Sequence, residues 1–148
     1  MSNASRRLAG ILLILLPTAV LGGVSLLRLI DNPAYQNNEL RQDLWRAGHA
    51  HAAVLLILSL VALRYVDEAV LSNRARSFAR HAFPSAAILL PAAFFLSVLS
   101  ADATEPNPLI NLAYLGAATL VAGMFTLGIG LLRANQATET SVKGSTAR

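Results

Sequence analysis

The stretch that decides the fold is residues 8–30, LAGILLILLPTAVLGGVSLLRLI, in which Arg28 is the single charged side chain. A helix that crosses a bilayer needs about 20 mostly apolar residues, and this run has that length. A secretory signal instead has an apolar region of roughly 7–15 residues, followed by a small-residue cleavage site. Because the run continues to Arg28 and then to Asp31-Asn32-Pro33, it predicts a retained first membrane span.

Three further apolar runs follow at 47–63, 82–99 and 109–132. The whole chain is 55% hydrophobic and 14% charged, whereas soluble domains have about 25% charged residues. Short connections between four spans favour neighbouring antiparallel helices. The sequence therefore predicts an all-α integral membrane protein, an up-down-up-down four-helix bundle over residues 1–132. Residues 133–148 are small and polar without periodicity, and predict a disordered cytoplasmic tail.

The distribution of basic residues predicts the orientation, since cytoplasmic segments carry an excess of Lys and Arg. Nine of the twelve basic residues fall on the side that holds both termini and the second connection, and three fall on the other side, namely Arg28, Arg41 and Arg46. We therefore expect a multi-pass protein of a bacterial inner (plasma) membrane with both termini in the cytoplasm. Basic residues scattered between apolar runs serve topology, so no nucleic-acid partner is expected.

Several chemistries are excluded or unsupported by the composition. The chain has no cysteine, which excludes disulfides, thiolate-bound metals and covalently attached c-type haem. Acidic residues are absent from the four predicted spans, so a carboxylate-based proton relay is not expected. No phosphate-binding glycine loop, serine nucleophile motif or zinc motif of the His-Glu-x-x-His type is present. The sequence predicts no catalytic residues.

Three glycines in the fourth predicted span predict how the helices pack. Gly116, Gly123 and Gly130 are seven residues apart, so they lie on nearly the same helix face. Small residues allow two membrane helices to approach closely. We expect this glycine stripe to form a helix–helix seam.

The one constellation that could carry chemistry is WRAGHAH, residues 45–51, at the predicted outer end of the second span. Ionisable side chains inside a membrane are costly and commonly functional. His49 and His51 are two residues apart and so point about 200° away from each other on a helix. This geometry favours a single imidazole ligand over a two-histidine chelate. The prediction is that His49 or His51 binds haem b, or a metal ion, for electron transfer or sensing.

Two arginines extend the predicted site. Arg28 and Arg46 are expected at the depth of His49, where they could bind haem propionates or the carboxylate of another anionic ligand. The alternative for Arg28 is a pair with Asp31, three residues further along the helix. The connection 64–81 carries four arginines and is expected to lie on anionic lipid of the inner leaflet.

Alternatives to the haem site remain open. His49 and His51 could hydrogen-bond lipid or loop carbonyls at headgroup depth. His81 is predicted at the opposite side of the membrane, as an interfacial residue at the start of the third span, and cannot share a site with His49. A second axial ligand would come from the same histidine of a symmetric homodimer, from Met124, whose default role is packing, or from no residue at all.

The order of these features resembles a known family. A first span, a polar outer loop and then Arg46-x-x-His49 at the start of the second span resemble the first two spans of the haem–copper oxidase catalytic subunit, over residues 8–63. That resemblance implies His49 or His51 as an axial haem ligand. The chain is also similar to small four-span bacterial membrane proteins of unknown function.

The resemblance does not extend to oxygen reduction, because the chain lacks the further spans and the copper-site histidines. A second hypothesis is therefore kept beside the haem site. In it, the protein is a non-catalytic structural or accessory subunit of a larger membrane complex.

Overall fold

The computed structural model describes the backbone of residues 1–146 and the side chains of residues 1–136. A 3₁₀ turn at Pro108–Asn111 precedes the last helix, and the described residues contain no strand. The helices are α1 (Asn3–Leu29), α2 (Pro33–Gln36), α3 (Glu39–Tyr65), α4 (Asn73–Ser97) and α5 (Leu112–Thr146).

Within the described residues, four helices are long and apolar enough to cross a membrane: α1, α3, α4 and the segment Pro108–Gln136 that contains most of α5. The predicted fold class is confirmed, since the protein is an all-α four-helix membrane bundle. Three helices begin earlier than their predicted apolar spans, at residues 3, 39 and 73 rather than 8, 47 and 82. The reason is polar capping, because the side chains of Ser2, Asn38 and Ser72 each accept a backbone N–H of the first turn.

Contacts at the two ends show that the four long helices alternate in direction. At one end, here called the N-terminal end, the Ser2 backbone N–H donates to Asp67 Oδ2 (2.6 Å) and the Val70 N–H donates to the Gly130 carbonyl (2.9 Å). At the far end, Asn38 Nδ2 donates to the carbonyl of Ala103 (2.9 Å). The N-terminus and the α3–α4 connection therefore lie together, opposite the connection between α4 and α5.

The buried core lies among α3, α4 and α5. One cluster, near the N-terminal end, joins Ala62, Phe83 and Leu127 from the three helices, and a second joins Leu55 to Ala86 and Leu90. Helix α1 packs mainly against α3. Only 6% of its apolar window is buried, compared with 44% for α4. The protein thus has a packed three-helix core and one peripheral span.

The predicted glycine seam is present, on the face that α5 presents to α4 and to the α3–α4 connection. A Cβ placed at Gly123 would lie 2.7 Å from the Ala82 Cβ, and one at Gly130 would lie 2.7 Å from Leu71 Cγ. At Gly116 the nearest atom would be Leu90 Cγ, 3.0 Å away. At Gly123 and Gly130 a Cβ cannot be placed unless the neighbouring atoms move, and at Gly116 it would make a tight contact, so the three glycines allow the close approach.

Two boundary expectations differ from the structure. The α3–α4 connection covers only 66–72 rather than 64–81, because α4 begins at Asn73 with Ser72 as its cap. His81, expected at the start of the third span, consequently lies more than two turns inside α4. Helix α5 ends at Thr146, so it continues into residues 133–148, which the sequence assigned to the tail; the side chains of 137–148 lie outside the described residues.

Candidate functional site

His49 lies in the seam between α1 and α3. Cβ atoms placed at Gly22 and Gly23 would have only the His49 ring within 4 Å, at 3.4 Å from Nδ1 and at 3.2 Å from Cε1 and Nε2 respectively. The imidazole is half-buried. Two adjacent glycines in α1 therefore make room for this ring, and α3 approaches them through it.

Two adjoining pockets lie along the α1–α3 seam and share the His49 ring as a wall, and we call them together the α1–α3 crevice. Its far-end part has a volume of about 350 Å³, and its deeper part has a volume of about 300 Å³. His49 lines both parts. The far-end part is also lined by Gly23, Leu27, Ile30, Tyr35 and Arg46, and the deeper part by Leu16, Ala19, Val20, Ala53 and Ile57.

Arg46 is the cationic group of this crevice. Its Nη2 donates to Gln42 Oε1 at 3.1 Å, and the residue is exposed. Among residues 1–136 the ion pairs are Arg64–Glu68 and Arg80–Asp67, so Arg46 has no acidic partner there. The structure thus places His49 and Arg46 on the same pocket.

His51 lies on a different face of α3, towards α4. Its ring centroid is 5.1 Å from that of Phe94, and its Nδ1 is 2.7 Å from the Ala47 carbonyl oxygen. A donor at Nδ1 leaves Nε2 unprotonated, which is the form that binds a metal. Five residues separate His51 from Arg46, about 140° around the helix. The four predicted site residues therefore do not form one cluster.

Arg28 does not join either histidine. It is exposed and does not line the α1–α3 crevice. The expected ion pair with Asp31 is not formed, because the two pairs already named are those found among residues 1–136. Arg28 therefore extends from α1 beside the crevice without a charged partner.

The two other residues considered from the sequence lie in separate grooves. His81 lines a groove between α4 and α5 with Arg74 and Thr119, and its Nδ1 is 2.8 Å from the Ser77 carbonyl oxygen. Met124 lines a groove between α3 and α5 beside Leu58. Since Leu58 lies seven residues beyond His51, roughly 10 Å along the helix, Met124 is too deep to share an iron with His51.

A metal site built from several side chains is not found in the described part of the chain. No group of three or more His, Cys, Asp or Glu residues there could hold a metal ion. Any metal chemistry at the candidate site would have to use one histidine of this chain, as an axial haem ligand does.

An aromatic cluster at the far end was not predicted as a unit. The Trp45 ring lies 6.1 Å from Tyr35 and 6.3 Å from Phe95, and the Arg41 guanidinium lies 4.3 Å from the Trp45 ring centroid. Phe95 also covers Gly48, where a Cβ would lie 3.0 Å from Phe95 Cε2. The sequence signal was Trp45 at the end of a span, but the sequence does not show which residues it would contact.

A polar cluster at the N-terminal end was also missed, because its members lie far apart in sequence. Arg80 donates from Nη2 to Asp67 Oδ1 (3.1 Å) and from Nε to the hydroxyl of Ser5 (3.0 Å), which is fully buried. Burial alone would raise the pKa of Asp67, but hydrogen bonds from Ser2, Ser5 and Arg80 outweigh it and lower that pKa to about 2. This cluster fixes the start of α1 to the core.

Comparisons with protein-family models, with curated proteins and with solved structures find no match to this chain.

Proposed function

We propose that this protein is a small multi-pass protein of a bacterial inner membrane that binds haem b through His51. The observation that carries the proposal is the contact between His51 Nδ1 and the Ala47 carbonyl, which orients the ring and leaves Nε2 available on an exposed face. Haem ligands commonly have their second nitrogen held in this way by a backbone carbonyl. The Phe94 ring beside His51 supplies an apolar surface for a porphyrin.

His51 is a better ligand candidate than His49. Both Nε2 and Cε1 of His49 face Gly23 across the α1–α3 seam, and a Cβ there would already be 3.2 Å from them. A porphyrin is far wider than an imidazole, so its binding to His49 would require α1 to move away from α3. His51 is exposed, and its ring is not enclosed between α1 and α3.

A homodimer would complete the proposed site. The surface near His51 is apolar and open, with Val54 62% exposed. A symmetric dimer formed across this face would place the same histidine of a second copy on the other side of the haem. The two copies of His51 would then hold the haem, which would supply redox chemistry for electron transfer or sensing.

Absorption spectroscopy of the purified protein tests the haem proposal. Protein produced with sufficient haem is expected to show a Soret band, which the His51→Ala variant loses. His49→Ala is the matched control, because it removes an equal side chain two residues away and should keep the band. A band that depends on His49 and persists in His51→Ala would contradict the proposed ligand.

A colourless protein that takes up neither added haem nor divalent metal would leave the second candidate function, an accessory subunit of a larger membrane complex. One observation favours that function. The groove between α3 and α5 is apolar and open, with Tyr65 and Met124 about half exposed. Co-purification of a stable partner that is released by Met124→Lys would support it.

The cytoplasmic location of both termini is part of the proposal. It is supported by the nine basic residues on that side against three on the other. Reporter fusions at Asn37 and at Thr138 should report opposite sides, with Thr138 cytoplasmic. The reverse result would invert the proposed orientation, and the same side for both would contradict four spans.

A further inference from the structure

The α1–α3 crevice combines an apolar channel with one cation at its mouth. The deeper part is lined by aliphatic side chains and His49, and the far-end part adds Arg46 and the Tyr35 ring. A charged group at one end of an apolar channel matches a molecule that is itself charged at one end and apolar along its length. We propose that this crevice binds an anionic phospholipid, with the phosphate at Arg46 and one acyl chain along the seam.

The dimensions support an acyl chain. The lining residues of α1 run from Leu16 to Ile30, which is about 21 Å at the helical rise of 1.5 Å per residue. One leaflet of the hydrocarbon core is about 15 Å thick, half of the 30 Å total. The crevice is therefore long enough to take a chain from the headgroup level to the middle of the bilayer.

The shape of the seam explains why a crevice remains there. Along this stretch α1 has small side chains, Ala19, Gly22 and Gly23, opposite α3. The two helices do not close upon these small residues, because the His49 ring stands between them. The His49 ring thus holds α1 and α3 apart, so that space remains in both the far-end part and the deeper part of the crevice.

Charge supports an anionic headgroup. Arg46 is exposed, and neither ion pair among residues 1–136 includes it. One of its Nη atoms is used by Gln42, and the remaining N–H donors can bind phosphate oxygens in the paired geometry that guanidinium favours. This site is on a different face of α3 from His51, so the lipid and haem proposals can fail independently.

The single tryptophan provides the measurement. Trp45 precedes Arg46, and its ring is 6.1 Å from that of Tyr35, which lines the crevice. Lipids brominated on the acyl chain quench a tryptophan that they approach. Protein in phosphatidylcholine vesicles should be quenched more strongly by brominated phosphatidylglycerol than by equal amounts of brominated phosphatidylcholine. One favourable cation is expected to give about a fivefold preference.

Two pairs of variants separate the headgroup from the chain. Arg46→Gln should abolish the preference, while Arg28→Gln removes a charge outside the crevice and should keep it. Ala53→Leu fills the deeper part and should weaken quenching by both lipids, while Ala118→Leu adds the same volume on an exposed face of α5, away from the crevice, and should not. The proposal is overturned if Arg46→Gln keeps the preference, if Arg28→Gln loses it equally, or if Ala53→Leu and Ala118→Leu behave alike. Helical circular dichroism confirms that each variant is folded.

Discussion

The seams on the two sides of the central pair α3 and α4 differ in how they are built. Along the α4–α5 seam, Gly123 brings a helix backbone against the Ala82 methyl group, at a distance that excludes even one more carbon. Along the α1–α3 seam, the paired glycines Gly22 and Gly23 meet only the ring of His49, and open space remains on both sides of it. Glycines thus serve close packing in one seam and accommodate a single side chain in the other.

This difference indicates where stability and binding reside in the bundle. Helices α3, α4 and α5 bury the core clusters, so substitutions that disturb their packing should strongly lower the stability of the bundle. Helix α1 has few buried residues and is fixed at its start by the polar cluster of Ser2, Ser5, Asp67 and Arg80. Changes along its length should be tolerated, and ligands should be able to enter beside it.

The largest effect is expected from Gly123→Leu. Four added carbons cannot be placed where even a Cβ would lie 2.7 Å from Ala82, so α5 must move away from α4. Overpacking of this kind costs about 3 kcal/mol, and the melting temperature in detergent should fall clearly. Gly128→Leu is the control, since nothing lies within 4 Å of a Cβ there. Equal melting temperatures for the two variants would show that the close seam does not stabilise the bundle.

An intermediate effect is expected from Asp67→Asn, which weakens the attachment of α1. The hydrogen bonds to the carboxylate are charge-assisted, and their loss should cost roughly 2 kcal/mol. The pKa of Asp67 is lowered from 3.8 to about 2. Because a depressed carboxyl pKa stabilises the fold only where the group is ionised, this contribution is complete above about pH 3.8 and is lost as the pH falls through about 2.

The melting temperatures of wild type and Asp67→Asn should therefore differ at pH 7 and converge near pH 2. Glu105→Gln serves as the control, because that carboxyl is exposed in the α4–α5 connection at the far end and belongs to neither ion pair found among residues 1–136. A difference that stays constant between pH 7 and pH 2 would show that ionised Asp67 does not hold the helix.

The smallest effect is expected from Gly23→Ala. The new methyl group would lie 3.2 Å from two atoms of His49, and a shift of that one side chain by a few tenths of an ångström relieves the contact. Alanine also gains about 1 kcal/mol of helix propensity over glycine, which offsets the cost. The melting temperature should change little, whereas Gly123→Ala should lower it. A large loss in Gly23→Ala would mean that α1 and α3 pack as tightly as α4 and α5.

The sequence was sufficient for the fold class and for the glycine seam. The length of an apolar run identifies a membrane helix because the thickness of the bilayer sets that length. Gly116, Gly123 and Gly130 are seven residues apart, and helix geometry alone places residues at that spacing on nearly one face. The helix starts were less predictable, because hydropathy locates the apolar part while polar caps such as Asn38 and Ser72 locate the first turn.

The candidate site was only partly predictable. Helix periodicity correctly predicted that His49 and His51 lie on different faces, because both residues belong to the same helix. The neighbour that each histidine contacts depends on how α1 and α4 pack around α3. A local sequence pattern does not predict that packing. The Asp67–Arg80 cluster shows the same limit, because Ser2 and Ser5 meet it only after α3 has brought the chain back to the end at which α1 begins.

The hydrogen bond from the Val70 N–H to the Gly130 carbonyl bears on the order in which the protein assembles. Spans leave the ribosome in sequence, so the second and third spans exist before the fourth. Until α5 arrives, the Val70 N–H has no Gly130 acceptor and the nearby core residues Ala62 and Phe83 lack the cover of Leu127. The packing of the α3–α4 hairpin is therefore incomplete until α5, which is synthesised after it, has inserted.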